Sequence, residues 1–313
     1  MCKRVAITGI TGAIGMALLE RCLKEGYEVL AICRKGSERN RQILSYPNVV
    51  AVETDLREFG NVRLPDDKPC ETFYHFAWAG TFGADRENYD LQVQNIAGTL
   101  DAARLAARLG CRTFVGAGSQ AEYGRAQKTL RPDTPVSPES GYGIAKLCAG
   151  QMSRKECEKL GIGHVWVRVL SIYGPYDGAG TMVCSTLRKM LSKEEANFTP
   201  GGQIWDFLYS ADAADALFRI GQHPVHGSTY CLGSGQAKPL REYILKMKEL
   251  TGYSGQVRFG GIPYSPKQVM HLCADISSLT RDTGFVPETD FETGIRETIA
   301  WMQEKDLMGA GTV

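Results

Sequence analysis

The sequence has no excess of charge of either sign. Its 313 residues include 36 lysines and arginines against 35 aspartates and glutamates. A balance this close gives no indication of nucleic acid or of an anionic membrane surface as a partner. We expect a small ligand that is recognised by local contacts.

Long hydrophobic runs are also missing. No apolar stretch is long enough to span a bilayer, and Met1-Cys2-Lys3-Arg4 leads directly into a strand-like segment, without a basic-then-apolar leader. We therefore expect a cytoplasmic protein. Hydrophobic residues make up 43% of the chain, enough for a substantial core in one large domain or two closely joined ones.

Metal-binding and disulfide patterns are absent as well. The ten cysteines form no Cys-x-x-Cys pair, and several lie in apolar stretches, so we interpret them as reduced core residues. His223 and His226 are three residues apart, but Pro224 lies between them in a loop-like segment. We predict no metal site.

The first half of the chain repeats one unit, in which a helical pattern ends at a glycine and an apolar strand follows. The unit occurs at residues 13–33, 101–116 and 153–169, with its glycine at Gly26, Gly110 and Gly161. Further strand-like segments lie at residues 5–8, 48–53 and 71–77. Apolar strands separated by helices are typical of a parallel sheet covered on both faces. The pattern predicts a doubly wound α/β domain.

A glycine-rich turn joins the first strand to the first helix. It reads Thr8-Gly9-Ile10-Thr11-Gly12-Ala13-Ile14-Gly15. Gly9 would permit the tight turn, Gly12 would let a pyrophosphate approach the backbone, and Gly15 would allow the helix to pack closely on the strand. The helix N-terminus would then hold the phosphates. The turn predicts a dinucleotide cofactor.

The end of the second strand distinguishes the two nicotinamide cofactors. A carboxylate there would bind the ribose 2′-hydroxyl of NAD, whereas an arginine accommodates the 2′-phosphate of NADP. The residue after this strand is Arg34, and Ser37 and Arg39 follow nearby. We predict that Arg34 pairs with the 2′-phosphate, helped by Ser37 or Arg39. NAD remains the alternative, since some NAD enzymes also lack the acid.

Tyr142 and Lys146 are four residues apart and would share one face of a helix. An ammonium near the phenol stabilises the phenolate, and catalysis near neutrality needs a group more acidic than free tyrosine, whose pKa is about 10. Surface helices carry such pairs by chance, so the pair is informative only together with other motifs.

Several ordered motifs together resemble one family. Besides the glycine turn they are Asp55-Leu56, His75-Phe76-Ala77-Trp78, Gly118-Ser119-Gln120-Ala121-Glu122-Tyr123-Gly124, Tyr142-x-x-x-Lys146, Arg168-Val169-Leu170-Ser171-Ile172-Tyr173-Gly174-Pro175, Gln203-Ile204-Trp205-Asp206-Phe207 and Tyr230-Cys231-Leu232-Gly233. Over nearly the whole chain the sequence resembles an extended short-chain dehydrogenase/reductase. The branch it resembles is the nucleotide-sugar epimerase/dehydratase/reductase group.

The resemblance implies a domain organisation. A Rossmann fold would take residues 1–176 and 204–235, and a smaller mixed α/β C-terminal domain at residues 177–203 and 236–313 would bind substrate. Helices at residues 86–109 and 142–160 resemble those that pair as a four-helix bundle in family dimers, so a homodimer is expected.

The resemblance also implies residue roles. Ser119 would hydrogen-bond the substrate oxygen, Tyr142 would give or take its proton, and Lys146 would lower the pKa of Tyr142 and hold the nicotinamide ribose. Further cofactor contacts would come from Gly9, Thr11, Gly12, Ala13, Ile14, Gly15, Asp55, Leu56, Phe76, Ala77, Trp78 and Leu170. Substrate contacts would come from Thr81, Phe82, Gln120, Ser171, Trp205 and Tyr264. Many relatives have an asparagine in place of Ser171 and an arginine in place of Trp205.

Departures from the family pattern help to choose the reaction. Dehydratases carry an acid pair after the catalytic serine or threonine, whereas here Gln120 and Ala121 follow Ser119. The 4-epimerases usually retain NAD, so Arg34 favours an NADPH-dependent reductase of a nucleotide-activated 4-keto-6-deoxyhexose. An NAD-dependent nucleotide-sugar 4-epimerase and a reductase of another small carbonyl compound remain alternatives. A non-catalytic NADP sensor is disfavoured, because all three catalytic residues are present.

Overall fold

The computed structural model describes residues 3–309. The strands are β1 (Arg4–Thr8), β2 (Glu28–Cys33), β3 (Val49–Glu53), β4 (Thr72–His75), β5 (Thr113–Ser119), β6 (Gly163–Val169), β7 (Ser171–Tyr173), β8 (Ala196–Phe198), β9 (Ile204–Tyr209), β10 (Thr229–Leu232), β11 (Ala237–Pro239) and β12 (Val257–Phe259). The α-helices are α1 (Ala13–Lys24), α2 (Tyr89–Arg108), α3 (Gly141–Leu160), α4 (Met182–Leu191), α5 (Ser210–Gln222), α6 (Leu240–Thr251), α7 (Ser277–Thr283) and α8 (Phe291–Gly309).

Seven strands form the central sheet in the order β10-β6-β5-β4-β1-β2-β3, and every pairing in it is parallel. Side chains alternate between its two faces, because successive residues of a strand point in opposite directions. Ile7 lies in the core beneath α1 and α5, whereas Phe73 and Phe114 lie in the core beneath α2. This arrangement confirms the predicted doubly wound α/β fold.

The helices next to the site begin at capping residues. Asn88 accepts a hydrogen bond from the Leu91 N–H at the start of α2, and Ser140 accepts one from the Gly143 N–H at the start of α3. The helix predicted at residues 86–109 therefore starts at Tyr89, and the predicted start lies two residues before the Asn88 cap, in a 3-10 turn, Gly83–Glu87.

The C-terminal half builds a second, smaller assembly. β11, β9 and β7 form a three-stranded sheet, and β8 pairs with β12. Leu187 of α4, Ile244 of α6 and Ile295 of α8 share a hydrophobic core. The segment at residues 204–235 divides between the two parts, because β9 joins the small sheet while β10 returns to the edge of the central sheet. The division into two domains remains a prediction.

Nine cysteines in the described part of the chain carry free thiols, and all of these except Cys148 are buried. Cys2, which was included in the prediction of reduced core cysteines, lies outside the described residues, as does the end of the predicted substrate domain at residues 310–313. Across residues 3–309, none of the helices combines the length and hydropathy that crossing a bilayer requires.

Candidate active site

The glycine turn lies at the carboxyl end of β1. Gly9 has a φ of +66°, and a Cβ on it would come within 2.7 Å of the Ala77 nitrogen. A Cβ on Gly15 would lie 2.5 Å from the Gly9 oxygen, so α1 can approach the turn only without a side chain there. At Gly12 the nearest atom would be 3.7 Å away. Space beside Gly12 is what an approaching pyrophosphate would need.

Thr8 and His75 hold the neighbouring turn after β4. The Thr8 hydroxyl accepts from the N–H groups of Phe76 and Ala77 at 3.1 and 3.2 Å, and donates to His75 Nδ1 at 2.9 Å. The Thr99 hydroxyl donates its proton to the Asn95 carbonyl, so it can only accept from His75. His75 Nε2–H therefore donates to Thr99 Oγ1, at 3.2 Å. Burial lowers the pKa of His75 to about 3, so the ring is neutral.

A cavity of about 720 Å³, here called the edge cleft, runs from the glycine turn across the ends of β2 and β3. Predicted cofactor residues that line it are Gly9, Thr11, Arg34, Ser37, Arg39, Asp55, Leu56, Ala77 and Trp78. Arg57 also lines it and was not predicted, although it directly follows Asp55-Leu56. Three guanidinium-bearing residues, Arg34, Arg39 and Arg57, thus line one cleft.

Glu53, the carboxylate at the end of β3, binds the loop that follows β2. Glu53 accepts hydrogen bonds from the Gly36 N–H at 3.1 Å and from Asn40 Nδ2 at 2.8 Å. Both donors, the Gly36 N–H foremost, lower the pKa of Glu53. This acid therefore holds the loop that begins at Arg34.

A second cavity of about 690 Å³, here called the central chamber, opens between the central sheet and the C-terminal assembly. The predicted residues that line it are Gly9, Gly12, Ala13, Ile14, Gly15, Phe76, Thr81, Phe82, Ser119, Gln120, Tyr142, Leu170, Ser171 and Trp205. Tyr264 lies behind this lining, where its hydroxyl accepts from the Gly202 N–H and donates to Gln203 Oε1 at 3.0 Å. Gln203 itself faces the chamber.

Ser119 and Tyr142 meet at the floor of the chamber. Ser119 ends β5, and the Ser140 cap places Tyr142 in the first turn of α3. A Cβ on Gly143 would lie 2.4 Å from the Ala121 oxygen, so this glycine lets α3 start against the turn that follows Ser119. Burial raises the pKa of Tyr142, while the Ser119 hydroxyl and the Arg86 guanidinium act to lower it.

Lys146 lies one helical turn beyond Tyr142 and is buried. Its Nζ donates to the Ala117 carbonyl at 2.7 Å and lies 3.8 Å from the centroid of the Trp78 ring. The same atom is 5.8 Å from the centroid of the Tyr142 ring. Burial lowers the pKa of Lys146 to about 7, against an opposing effect of Glu122.

Glu122 is a fully buried carboxylate that the sequence did not assign to the site. It accepts from the Ser119 N–H at 2.9 Å, from Trp166 Nε1 at 3.0 Å and from Arg168 Nε at 2.7 Å. Ser119 and Glu122 form a capping box, which the Ser-x-x-Glu spacing could have indicated. Because three donors occupy the carboxylate, it does not replace the acid pair that is missing after Ser119.

The lining of the chamber carries little charge. Trp205 donates its indole N–H to Ser171 Oγ at 2.8 Å, so two predicted substrate residues bind each other. Among the described residues that line the chamber, Arg86 and Asp177 are the charged ones. Asp177 accepts from the Gly178 N–H at 2.7 Å and from Thr181 Oγ1 at 2.8 Å, at the start of α4.

Comparison with known proteins agrees with this architecture. The CDP-abequose synthase of Salmonella muenchen is 23% identical over 304 residues, covering 95% of this chain and 97% of its own. The structure of UDP-N-acetylglucosamine 4-epimerase from Methanobrevibacter ruminantium, in complex with UDP-N-acetylmuramic acid, matches with a TM-score of 0.87 at 20% identity, covering 97% of this chain and 99% of that one. UDP-glucuronic acid 4-epimerase from Bacillus cereus, in complex with UDP-glucuronic acid and NAD, matches with a TM-score of 0.84 at 19% identity, covering 96% and 99%.

These structural likenesses establish the fold, and a family match adds to them. Residues 5–233, which include the glycine turn, Ser119, Tyr142 and Lys146, match the NAD dependent epimerase/dehydratase family. The match confirms the resemblance seen in the sequence motifs. The chain belongs to the NAD dependent epimerase/dehydratase family.

Proposed function

We propose that this enzyme is an NADPH-dependent reductase that acts at C4 of a nucleotide-activated 4-keto-6-deoxyhexose. The observation that carries the proposal is the lining of the edge cleft, which includes Arg34, Ser37, Arg39 and Arg57. Guanidinium groups bind phosphate through charge-assisted hydrogen bonds, so this set suits the 2′-phosphate of NADP. Glu53, the nearby acid at the end of β3, is engaged by Gly36 and Asn40.

The chain's own residues supply binding and the proton. NADPH, when bound, supplies the hydride. The glycine turn and the N-terminus of α1 bind the pyrophosphate, and Lys146 binds the nicotinamide ribose. Ser119 donates a hydrogen bond to the carbonyl oxygen of the sugar, and Tyr142 donates its phenolic proton to that oxygen as negative charge develops on it.

Substrate recognition falls to the central chamber and the C-terminal assembly. Thr81, Phe82 and Gln120 line the same chamber as Ser119 and Tyr142 and would contact the sugar. The Trp205–Ser171 pair and the segments at residues 177–203 and 236–313 would contact the nucleotide, and the Trp205 ring offers a flat apolar surface for it. Tyr264 would act through Gln203, which it hydrogen-bonds.

An NAD-dependent 4-epimerase of a nucleotide sugar is the second candidate. The observation that favours it is the pair of solved 4-epimerases that share this fold over nearly the whole chain, one of them in complex with NAD. Such an enzyme would use Ser119 and Tyr142 in both directions, removing a proton from the C4 hydroxyl and returning it.

Absorbance of NADPH in the presence of a panel of nucleotide-linked 4-keto-6-deoxyhexoses distinguishes the two candidates. A reductase oxidises NADPH with at least one sugar of the panel, and Tyr142→Phe abolishes this. If the wild-type protein oxidises NADPH with none of them, yet interconverts the corresponding 4-hydroxy sugars, the 4-epimerase is correct.

The cofactor assignment has its own test. Arg34→Ala should weaken NADPH binding by roughly tenfold or more while leaving NADH binding nearly unchanged, because the lost contact is charge-assisted and specific to the 2′-phosphate. Arg296→Ala, at an exposed position on α8, is the control. A wild-type protein that prefers NADH would contradict the assignment.

We also propose a homodimer through α2 and α3. Tyr89 and Val93 of α2 and Ile144 and Met152 of α3 are exposed large hydrophobic residues. A second copy of the chain would cover them and bury their apolar surface. Light scattering should give the mass of a dimer for the wild type and of a monomer for Val93→Glu with Ile144→Glu. Leu44→Glu, at another exposed apolar residue, should leave the dimer intact.

A further inference from the structure

Arg86 covers the ring of Tyr142. Its guanidinium carbon lies 4.3 Å from the centroid of that ring. The side chain also donates to the Thr81 carbonyl at 3.3 Å and lines the central chamber. At this distance a cation is attracted to the ring face, and it stabilises an ionised phenol more than a neutral one.

The fold holds Arg86 in this place. The 3-10 turn Gly83–Glu87 packs on the start of α3, where Glu87 Oε2 accepts from the Gly141 N–H at 3.0 Å. A Cβ on Gly141 would lie 2.8 Å from the Tyr89 ring and 3.0 Å from the Arg86 carbonyl oxygen. The 3-10 turn and the first turn of α3 therefore pack closely against each other. This packing fixes the position of Arg86 relative to the Tyr142 ring.

The other charged groups around Tyr142 are engaged elsewhere. Lys146 Nζ is 5.8 Å from the ring centroid and donates to the Ala117 carbonyl. Glu122 is bound to Arg168, and Glu87 binds the Gly141 N–H. Burial lowers the pKa of Lys146 to about 7, whereas a guanidinium keeps its charge throughout the working range of pH. Near neutrality Arg86 is the more constant source of positive charge at Tyr142.

We propose that Arg86 is a positioning residue whose guanidinium orients the Tyr142 ring and stabilises its ionised form, so that Tyr142 exchanges a proton with substrate more readily. The inference rests on the proposed role of Tyr142 as the proton carrier. Arg86 would thus be a second cation at Tyr142 besides Lys146. Lys146 comes from α3, whereas Arg86 comes from the loop after β4.

A titration of Tyr142 tests the inference without cofactor or substrate. The full chain is labelled with ¹³C at tyrosine Cζ, and Tyr142→Phe identifies the Tyr142 signal. In Arg86→Gln the titration midpoint of this signal should rise by about one to two pH units, the effect of losing an opposite charge at this range. Arg86→Lys should restore most of the shift, and Arg296→Gln should leave the midpoint unchanged.

Two outcomes would overturn the inference. One is an unchanged midpoint in a folded Arg86→Gln protein, which would mean that Arg86 only binds substrate or supports the loop. The other is an equal shift in Arg86→Lys, which would mean that the charge is irrelevant. If Arg86→Gln does not fold, Arg86→Met, which keeps an aliphatic stem, must show the same rise. A protein that shows the rise but oxidises no NADPH would refute the proposed reductase activity and leave this inference standing.

Discussion

Thr8 has a single hydroxyl that serves three neighbours, and this makes it a residue where a small change has a large effect. Thr8→Val keeps the shape but removes the acceptor of the Ala77 N–H and the donor to His75 Nδ1. The Phe76 N–H keeps only its longer hydrogen bond to the Thr8 carbonyl. We expect the free energy of unfolding to fall by about 1–3 kcal/mol, measured by urea denaturation. Thr8→Ser retains the hydroxyl and should lose much less. Equal losses in both variants would show that the methyl group, and not the hydrogen bonds, matters.

Lys146 should make the free energy of unfolding depend on pH between about 7 and 10. Its pKa is lowered to about 7 in the folded protein, below the usual value of about 10.4 for an unfolded chain. Between these values the unfolded chain binds the extra proton, so wild-type stability rises with pH in this window, and below it Lys146 destabilises the fold by an amount that no longer changes with pH.

The measurement is the difference in unfolding free energy between Lys146→Met and the wild type. Relative to the wild type, the variant should be most stable at pH 7 and should lose roughly 2–4 kcal/mol of that advantage by pH 10. Lys155→Met, at an exposed lysine of the same helix, is the matched control and should show no such trend. A difference that does not change with pH would mean that Lys146 stays charged in the folded protein.

At the scale of elements, two glycines of the glycine turn have different roles: Gly15 is needed for folding and Gly12 for cofactor binding. A Cβ on Gly15 would meet main-chain atoms of Gly9 and Ile10 at about 2.5 Å, whereas a Cβ on Gly12 meets nothing closer than 3.7 Å. Gly15→Ala should therefore lower the melting temperature by several degrees, because the turn and α1 must move apart.

Gly12→Ala provides the contrast within the same turn. It should leave the melting temperature of the apoprotein nearly unchanged. It should weaken cofactor binding, measured by nicotinamide fluorescence, by about tenfold, which corresponds to about 1.4 kcal/mol of binding free energy. If both variants lose stability equally, the space seen beside Gly12 does not exist in solution.

Elements with a local signal were predictable, and contacts between distant elements were not. The helix-glycine-strand unit at residues 13–33 predicted a helix from residue 13 that ends before Gly26 and a strand that ends at residue 33, and α1 and β2 follow both. The placement of Arg86 over Tyr142 depends on how a 3-10 turn packs on α3, and Arg57 reaches the edge cleft from another 3-10 turn, Leu56–Asn61. Neither follows from spacing along the chain. β9 was expected to return with β10, but its partners are β7 and β11.

At the scale of the whole molecule, two buried histidines should make the fold sensitive to mild acid. Burial lowers the pKa of His75 to about 3 and that of His164 to about 4, whereas an unfolded histidine titrates near 6.5. As pH falls below 6.5, both histidines become protonated in the unfolded chain but stay neutral in the folded protein. The stability present above this pH is therefore lost progressively toward pH 4.

His164→Gln tests this, because the amide can still bind Ser153, which now bonds His164 Nε2 at 2.9 Å. Between pH 7.5 and 4.5 the variant should lose less unfolding free energy than the wild type, by on the order of 2 kcal/mol. His223→Gln, at an exposed histidine, serves as the control. Identical acid profiles for His164→Gln and the wild type would show that His164 is protonated in the folded protein.

The buried carboxylate of Glu122 links the loop after Ser119 to two side chains of β6, Trp166 and Arg168. A Cβ on Gly118 would come 2.4 Å from the same carboxylate, so this glycine belongs to the group. Removing one partner of a buried ion pair leaves the other charge uncompensated, so single substitutions here are costly. Along a lineage these positions should change together or not at all. New reactivity introduced at Gln120 and Ala121 would then be accessible only if it leaves this group of four residues unchanged.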